Sequence, residues 1–250
     1  MVITFPVANR RAHEARGREL AEPEFRTDTV RVSAVTAMSP VLDDLSLKFA
    51  MWAGQTGKTC LDVGCGAGLA SVAALARGGR IVAADPDPAL LQQLLASVPV
   101  QQYARLAVRI AGLPELDFKQ SGFAGVHLAR VLHLLDGPAI RDSLAKFFRW
   151  LYPHGRLFVS ALTPLGSFWQ RFQPEYIRRA TAGSEWPGYI EDLSQFHVTA
   201  RKGVPCHLLD ENLLSREMQT AGFVIESTLR YSLPWEPEQI CCSVIARCTP

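Results

Sequence analysis

The stretch Cys60–Gly68, CLDVGCGAG, constrains the fold of this chain more than any other. An apolar run ends in an aspartate, and three glycines follow at alternate positions, Gly64, Gly66 and Gly68. The chain then continues as a helix-forming run, AGLASVAALARGG, closed by two glycines. A strand that bends through bare main chain into a helix lets a ligand touch the backbone and offers it free N–H groups. The sequence beyond keeps the same alternation. RIVAAD reads as a strand, and PALLQQLLASV as a helix entered through Pro86 and Pro88. Further strands are expected in ARLAVRIAG, FAGVHLARVLHLL and GRLFVSALT, with the helix GPAIRDSLAKFFRWL before the last. Such alternation predicts a mostly parallel sheet covered by helices on both faces.

The rhythm breaks after Thr163. Residues 164–205 carry seven of the 22 aromatic residues, too many and over too long a span for a plain connection. They are expected to form an inserted helical cap. LLDENLLSREMQTAGF then reads as a helix ending near Gly222. VIESTLRYSL and ICCSVIARC read as an antiparallel strand pair joined by the short PWEPEQ. Upstream, residues 8–24 are charged and alanine-rich, as in an exposed helix, and SPVLDDLSLKFAMWAGQTG has helical spacing with Ser39 as N-cap and Gly54 near the stop. One domain spanning 1–250 is expected: an N-terminal helical lid (1–53), a ligand-binding core (54–163), the cap (164–205), and a C-terminal segment completing the sheet (206–250).

Charge decides what the chain does not bind. The net charge is +2, and Arg10, Arg11, Arg16 and Arg18 are interleaved with Glu14, Glu19, Glu22 and Glu24. That is a solvated helix rather than a phosphate-binding arm, which argues against a nucleic-acid partner. No apolar run approaches the ~20 residues needed to span a bilayer. The first residues carry their charges after the apolar stretch, the wrong order for a secretory signal. None of the six cysteines forms a CxxC pair, so no metal is expected, and a reduced, cytoplasmic protein is the simplest reading.

Two kinds of ligand use a glycine turn of this type. Dinucleotides favour G-x-G-x-x-G, whose third glycine lets helix and strand pack closely. Here Leu69 stands at that third position. Asp62, two residues before Gly64, would repel a pyrophosphate and welcome an ammonium. Asp85, at the end of the second strand, can accept both hydroxyls of a ribose, each bond to a charged acceptor contributing roughly 1.5–3 kcal/mol. S-adenosylmethionine has an amino group, a ribose, a sulfonium and no phosphate.

With LDVGCGAG (61–68), IVAAD (81–85), VHLARVLHLL (126–135) and LYPHGRLFV (151–159) in this order, the chain resembles the class I S-adenosylmethionine-dependent methyltransferases of the small-molecule type. The resemblance implies a Rossmann-like seven-stranded sheet with one antiparallel strand. It implies S-adenosylmethionine as cofactor, leaving S-adenosylhomocysteine as product. It places Asp62, Gly64, Cys65 and Gly66 around the methionine part, Asp85 on the ribose, Pro86 against the adenine, Ala111–Gly112–Leu113 along the adenine edge, and Arg130 near the methionine moiety. Two positions depart from the family pattern: Ala111 and Ala124 stand where many relatives carry an acid, with Glu115 or Asp117 as substitutes for the first. The signature (N/D)PP(Y/F) of base-amino methylation is absent after the fourth strand.

His133, after the fourth strand, is a candidate general base. The simpler alternative is a histidine hydrogen-bonded within the wall of the sheet. Trp169, Phe172, Tyr176, Tyr189 and His197 are candidate substrate contacts in the cap, which equally needs large side chains for its own packing. The expected function is methyl transfer to a small-molecule nucleophile, chiefly by positioning and exclusion of water, with a protein partner or homo-oligomer left open. The alternatives are a nicotinamide-dependent oxidoreductase, and a catalytically silent cofactor-binding protein that docks a partner through its cap.

Overall fold

The computed structural model describes residues 2–3, 41–196, 200 and 202–249. The expected helix over 8–24, the Ser39 cap and His197 lie outside the described residues. Among the described residues the main sheet has eight strands: β1 (Val2–Ile3), β2 (Thr59–Val63), β3 (Arg80–Asp85), β4 (Leu106–Ile110), β5 (Phe123–Ala129), β6 (Leu151–Leu162), β9 (Phe223–Leu233) and β10 (Glu236–Cys248). Their spatial order is β1-β4-β3-β2-β5-β6-β10-β9. β2 to β6 run parallel, and β10 runs antiparallel to both β6 and β9. The expected seven strands are thus present, and the two-residue β1 adds an antiparallel edge beside β4. Strand order reverses at β2, between β3 and β5. In open sheets of this kind ligands bind in the crevice at that point, outside the carboxyl ends of the strands.

Helices α1 (Asp44–Thr56), α2 (Leu69–Ala76) and α3 (Pro88–Ser97) share one hydrophobic cluster, while α4 (Gly137–Trp150) and α6 (Glu211–Thr220) share another. Each cluster is an apolar layer against the strands. Phe49, Phe147 and Trp150 are fully buried there, and burial of such side chains contributes ~1.5–3 kcal/mol each. α1 starts four residues later than the sequence suggested. Its cap is Asp43, whose carboxylate accepts from the Ser46 N–H at 2.8 Å. It also runs through Gly54 to Thr56 and stops at Gly57, which supplies the left-handed φ of 63°. Gly54 is there for closeness: a Cβ would lie 2.7 Å from the Arg77 carbonyl oxygen, so α1 rests against the end of α2.

Residues 164–205 are less helical than expected. Among their described residues are one nine-residue helix, α5 (Gln173–Thr181), two short 3₁₀ turns, and the strand β7 (Tyr189–Ile190), which pairs with β8 (Cys206–His207). Gly183, at φ 77°, follows the end of α5, and the Pro187–Gly188 step then carries the chain against Leu208. A Cβ on Gly188 would sit 1.9 Å from the Leu208 carbonyl oxygen. Among the described residues, no helix is long and apolar enough to cross a membrane.

Candidate active site

A cavity of about 350 Å³ opens over the carboxyl ends of β2, β3 and β5. The glycine turn forms its floor. Gly64, Gly66 and Gly68 all have positive φ, at 63°, 56° and 83°. At Gly64 a Cβ would meet Val131 Cγ2 at 2.4 Å, and at Gly68 it would meet Leu94 Cδ1 at 2.3 Å. Side chains are excluded at these two positions by conformation and by space, and the main chain is left bare toward the cavity.

Asp85 staples the turn. One carboxylate oxygen accepts from the Gly66 N–H at 2.9 Å and the other from the Asp87 N–H at 2.9 Å. A carboxylate offers about four lone-pair sites, so each oxygen keeps capacity for a ligand hydroxyl. Asp85 is therefore both a brace for the glycine turn and a free double acceptor at the cavity wall. Pro86, Leu90, Gly112 and Leu113 form an apolar slot beside it. Gly112 packs on Pro86, where a Cβ would approach Pro86 Cγ to 3.3 Å. Ala111 stays behind this wall, its N–H bonded to the Asp85 carbonyl at 3.2 Å. Neither proposed substitute for an acid at Ala111 reaches the cavity. Asp117 is held instead by Arg149 at 2.7 Å and the Trp150 indole at 3.2 Å.

Asp62 lines the cavity but is 1% exposed, and both of its oxygens have partners. One is 2.6 Å from the Ser71 hydroxyl and the other 2.8 Å from Nδ1 of His127. Nε2 of His127 lies 3.1 Å from the Ser46 hydroxyl. With the hydrogen on Nδ1, the ring donates to Asp62 and accepts from Ser46. Phe49 stacks on it with centroids 4.7 Å apart. This buried chain ties α1, β5 and β2 together behind the glycine turn. Sequence reading missed Ser46 and His127. The legible trace was one polar residue within the apolar strand run FAGVHLA, and the register opposite Asp62 that gives it meaning appears only in the sheet.

Cys65 also lines the cavity. Burial first, then the charges of Asp62 and Asp85, push its thiol far above the ordinary range, so it is no nucleophile. Arg130 has the left-handed φ of 54°, sparsely populated for a non-glycine residue. Its guanidinium lies 5.1 Å over the Trp235 ring. Among the described residues it has no carboxylate within 4 Å.

His133 sits in a short 3₁₀ turn (Leu132–Leu134) and faces the same cavity. It is 3% exposed, and neither ring nitrogen has a hydrogen-bond partner among the described residues. The wall histidine that does fit the hydrogen-bonded description is His127. Burial, then the Arg130 charge, lowers the pKa of His133 to about 4, so the ring is neutral at neutral pH.

The cap residues do not meet this site. Trp169, Phe172, Tyr176 and Tyr189 are absent from the cavity wall. Trp169 and Phe172 are buried in a third cluster with Leu162, Leu233 and Cys241. The Tyr176 hydroxyl donates to Asp210, and Tyr189 packs on the His207 ring. With Ile190, Leu193 and Leu208, these rings are spent on packing the layer's own interior. His207 is likewise buried, with Nδ1 bonded to the Leu135 carbonyl at 3.0 Å. The walls beyond the glycine turn come instead from the start of α1 and the β9–β10 hairpin, including Leu233, Trp235, Glu236 and Gln239. No pattern in PWEPEQ marked these residues, because their place depends on how the last hairpin folds back over the sheet.

Residues 60–155 match the family model for the methyltransferase domain. Comparison with curated proteins finds no match. Among solved structures, the chain is similar to an S-adenosylmethionine-dependent methyltransferase from Mesorhizobium loti, at 18% identity and a TM-score of 0.60 over 81% of this chain and 95% of that one. It is also similar to 1,6-didemethyltoxoflavin-N1-methyltransferase from Burkholderia thailandensis, solved with 1,6-didemethyltoxoflavin and S-adenosylhomocysteine bound (19% identity, TM-score 0.56, 83% and 80% covered). A third is geranyl diphosphate C-methyltransferase from Streptomyces coelicolor A3(2) (15% identity, TM-score 0.56, 81% and 79% covered). The fold is that of the S-adenosylmethionine-dependent methyltransferases.

Proposed function

We propose that this chain, with a methyltransferase domain at its centre, transfers a methyl group from S-adenosylmethionine to a small-molecule nucleophile. The observation that carries the proposal is the pairing of a bare glycine turn with Asp85. Both Asp85 oxygens keep lone pairs for a ribose after bracing that turn. The apolar slot of Pro86, Leu90, Gly112 and Leu113 suits an adenine ring, recognised through shape and backbone rather than an acidic side chain. Asp62 supplies negative charge near the methionine end, and because it is 1% exposed against 6% for Asp85, it acts through its field rather than as a ligand acceptor. The same buried carboxylates oppose a pyrophosphate, which disfavours the nicotinamide reading.

The bound cofactor supplies a methyl group already made electrophilic by its sulfonium. The protein's task is then to hold a nucleophile in line and exclude water. Positioning of that kind is worth ~7–11 kcal/mol in favourable cases. Asp43 and Ser46 at the start of α1 and Trp235 in the last hairpin close the sides of the cavity. His133 touches the acceptor, as an imidazole that stays uncharged at neutral pH. A small acceptor is favoured because the cavity is lined mostly by apolar residues, and two of the similar structures are of enzymes named for small acceptors.

Calorimetric titration with S-adenosylhomocysteine, S-adenosylmethionine, NAD and NADP tests the proposal. Heat is expected with the first two only. Asp85→Ala is expected to weaken that binding by at least tenfold, since bonds to a charged acceptor are worth ~1.5–3 kcal/mol. Binding of NAD without S-adenosylhomocysteine would overturn the assignment.

A further inference from the structure

Among the residues lining the cavity, two buried side chains carry polar atoms with no partner among the described residues. His133 is 3% exposed with both ring nitrogens unbonded, and Gln239 is 1% exposed with Nε2 unbonded. Buried polar groups are nearly always paired, and each exception asks for an explanation. Both residues line the cavity. They reach it from different elements, the turn after β5 and the start of β10. Around them stand Leu134, Leu135, Leu162 and Leu233. Nearby is Arg130, a cation with no carboxylate within 4 Å among the described residues and a ring, Trp235, beneath it.

On the reading of this site as a methyltransferase centre, we infer that the methyl acceptor is an organic oxyanion, such as a phenolate, enolate or carboxylate, whose charged oxygen is held by the Gln239 side-chain amide and the His133 ring N–H. Gln239 Nε2 can only donate. A neutral imidazole has one N–H to give, and the depressed basicity of His133 makes it a poor proton acceptor but leaves that donor intact. Arg130, with no carboxylate within 4 Å among the described residues, adds positive potential beside His133, partly offset by the Glu236 carboxyl on which its charge also acts. Glu236, which also lines the cavity, is biased toward its uncharged form by burial and by Glu238, against the pull of the Arg130 charge, so it opposes an anion less than its residue type suggests. A cationic amine would instead be opposed by the Arg130 charge.

The chemistry balances without a base. A lone pair on the acceptor oxygen forms the O–C bond, the C–S bond breaks, and its electron pair returns to sulfur. The negative oxygen and the positive sulfonium cancel, leaving two neutral products and no proton to remove. A charge-cancelling step is favoured where water is excluded.

The test is calorimetry on the full chain saturated with S-adenosylhomocysteine, titrated with 4-nitrophenolate, benzoate, nitrobenzene and benzylamine. One of the two anions, at least, is expected to bind ten times more tightly than nitrobenzene and benzylamine. Gln239→Leu and His133→Phe are each expected to weaken that anion about ten- to a hundredfold, the range for a bond to a charged group. Both variants are expected to keep their S-adenosylhomocysteine affinity, which also reports that they are folded. Equal or tighter binding of benzylamine, anion binding unchanged in both variants, or no anion binding to a complex that does take up S-adenosylhomocysteine would each overturn the inference. Failure to bind S-adenosylhomocysteine at all would instead sink the methyltransferase reading beneath it.

Discussion

His133 and His207 are expected to make the fold acid-sensitive. Burial lowers the pKa of each from 6.5 to about 4, with Arg130 adding to the effect at His133. Between those values the unfolded chain binds protons that the folded chain refuses. The stability they protect is therefore complete above about pH 6.5 and lost as pH falls toward 4. At 1.36 kcal/mol per pH unit, each histidine accounts for about 3 kcal/mol at most over that window. Urea unfolding at a series of pH values is expected to show this decline, and His133→Phe is expected to flatten its share of it. An unchanged slope in the variant would place the titration elsewhere. Asp85 shows the opposite relation between residue and site: the sequence suggested it as a candidate ribose ligand, but its part in bracing Gly66 was not readable there. A bond between residues 19 apart in sequence exists only once β2 and β3 lie side by side.

Helix α1 joins local structure to the site. Gly54 is a poor helix residue, and replacing it with alanine in isolation should gain ~1 kcal/mol. In the folded chain the new Cβ would lie 2.7 Å from the Arg77 carbonyl oxygen, an atom that cannot swing aside. Overpacking of this kind costs typically 1–3 kcal/mol. Gly54→Ala is thus expected to lower the urea midpoint despite its better propensity, and a raised midpoint would show that α1 has room to shift. The same helix holds Ser46 against His127 at 3.1 Å. Ser46→Ala removes that contact and leaves Nε2 of a buried imidazole unpaired, which costs ~1–3 kcal/mol. The expected readout is a loss of stability of that order by chemical denaturation, together with weaker S-adenosylhomocysteine binding if α1 must stay docked for the cavity to close. The residues 164–205 teach a different lesson. Their aromatic density announced a layer, and the structure shows rings spent on the layer's own interior, with the cavity walled by the β9–β10 hairpin instead.

For the molecule as a whole, ligand binding and stability are linked. A ligand that binds only the folded state, present at a hundred times its Kd, adds about 2.7 kcal/mol. For a chain of 250 residues, each kcal/mol raises Tm by about 2–4 °C. Saturating S-adenosylhomocysteine is therefore expected to raise Tm by about 5–11 °C in a thermal scan, and NAD to leave it unchanged. The cavity lies where strand order reverses, and its floor and one wall are contributed by β2, β3 and β5. Local changes there are expected to move cofactor affinity more than global stability, whereas changes in the two apolar layers should do the reverse.

By itself, the sequence determined the alternating strands and helices, the glycine turn and the two acids on which the proposed adenosyl site rests. All of these are local in the chain, where periodicity, turn conformation and charge act over a few residues. Only the tertiary structure decided that Asp62 is already bonded to His127 and Ser71, that the cap keeps its aromatic rings to itself, and that Gln239 shares a cavity with His133. The physical reason is that burial and hydrogen-bond satisfaction belong to surfaces brought together from distant segments, and no short stretch of sequence contains them.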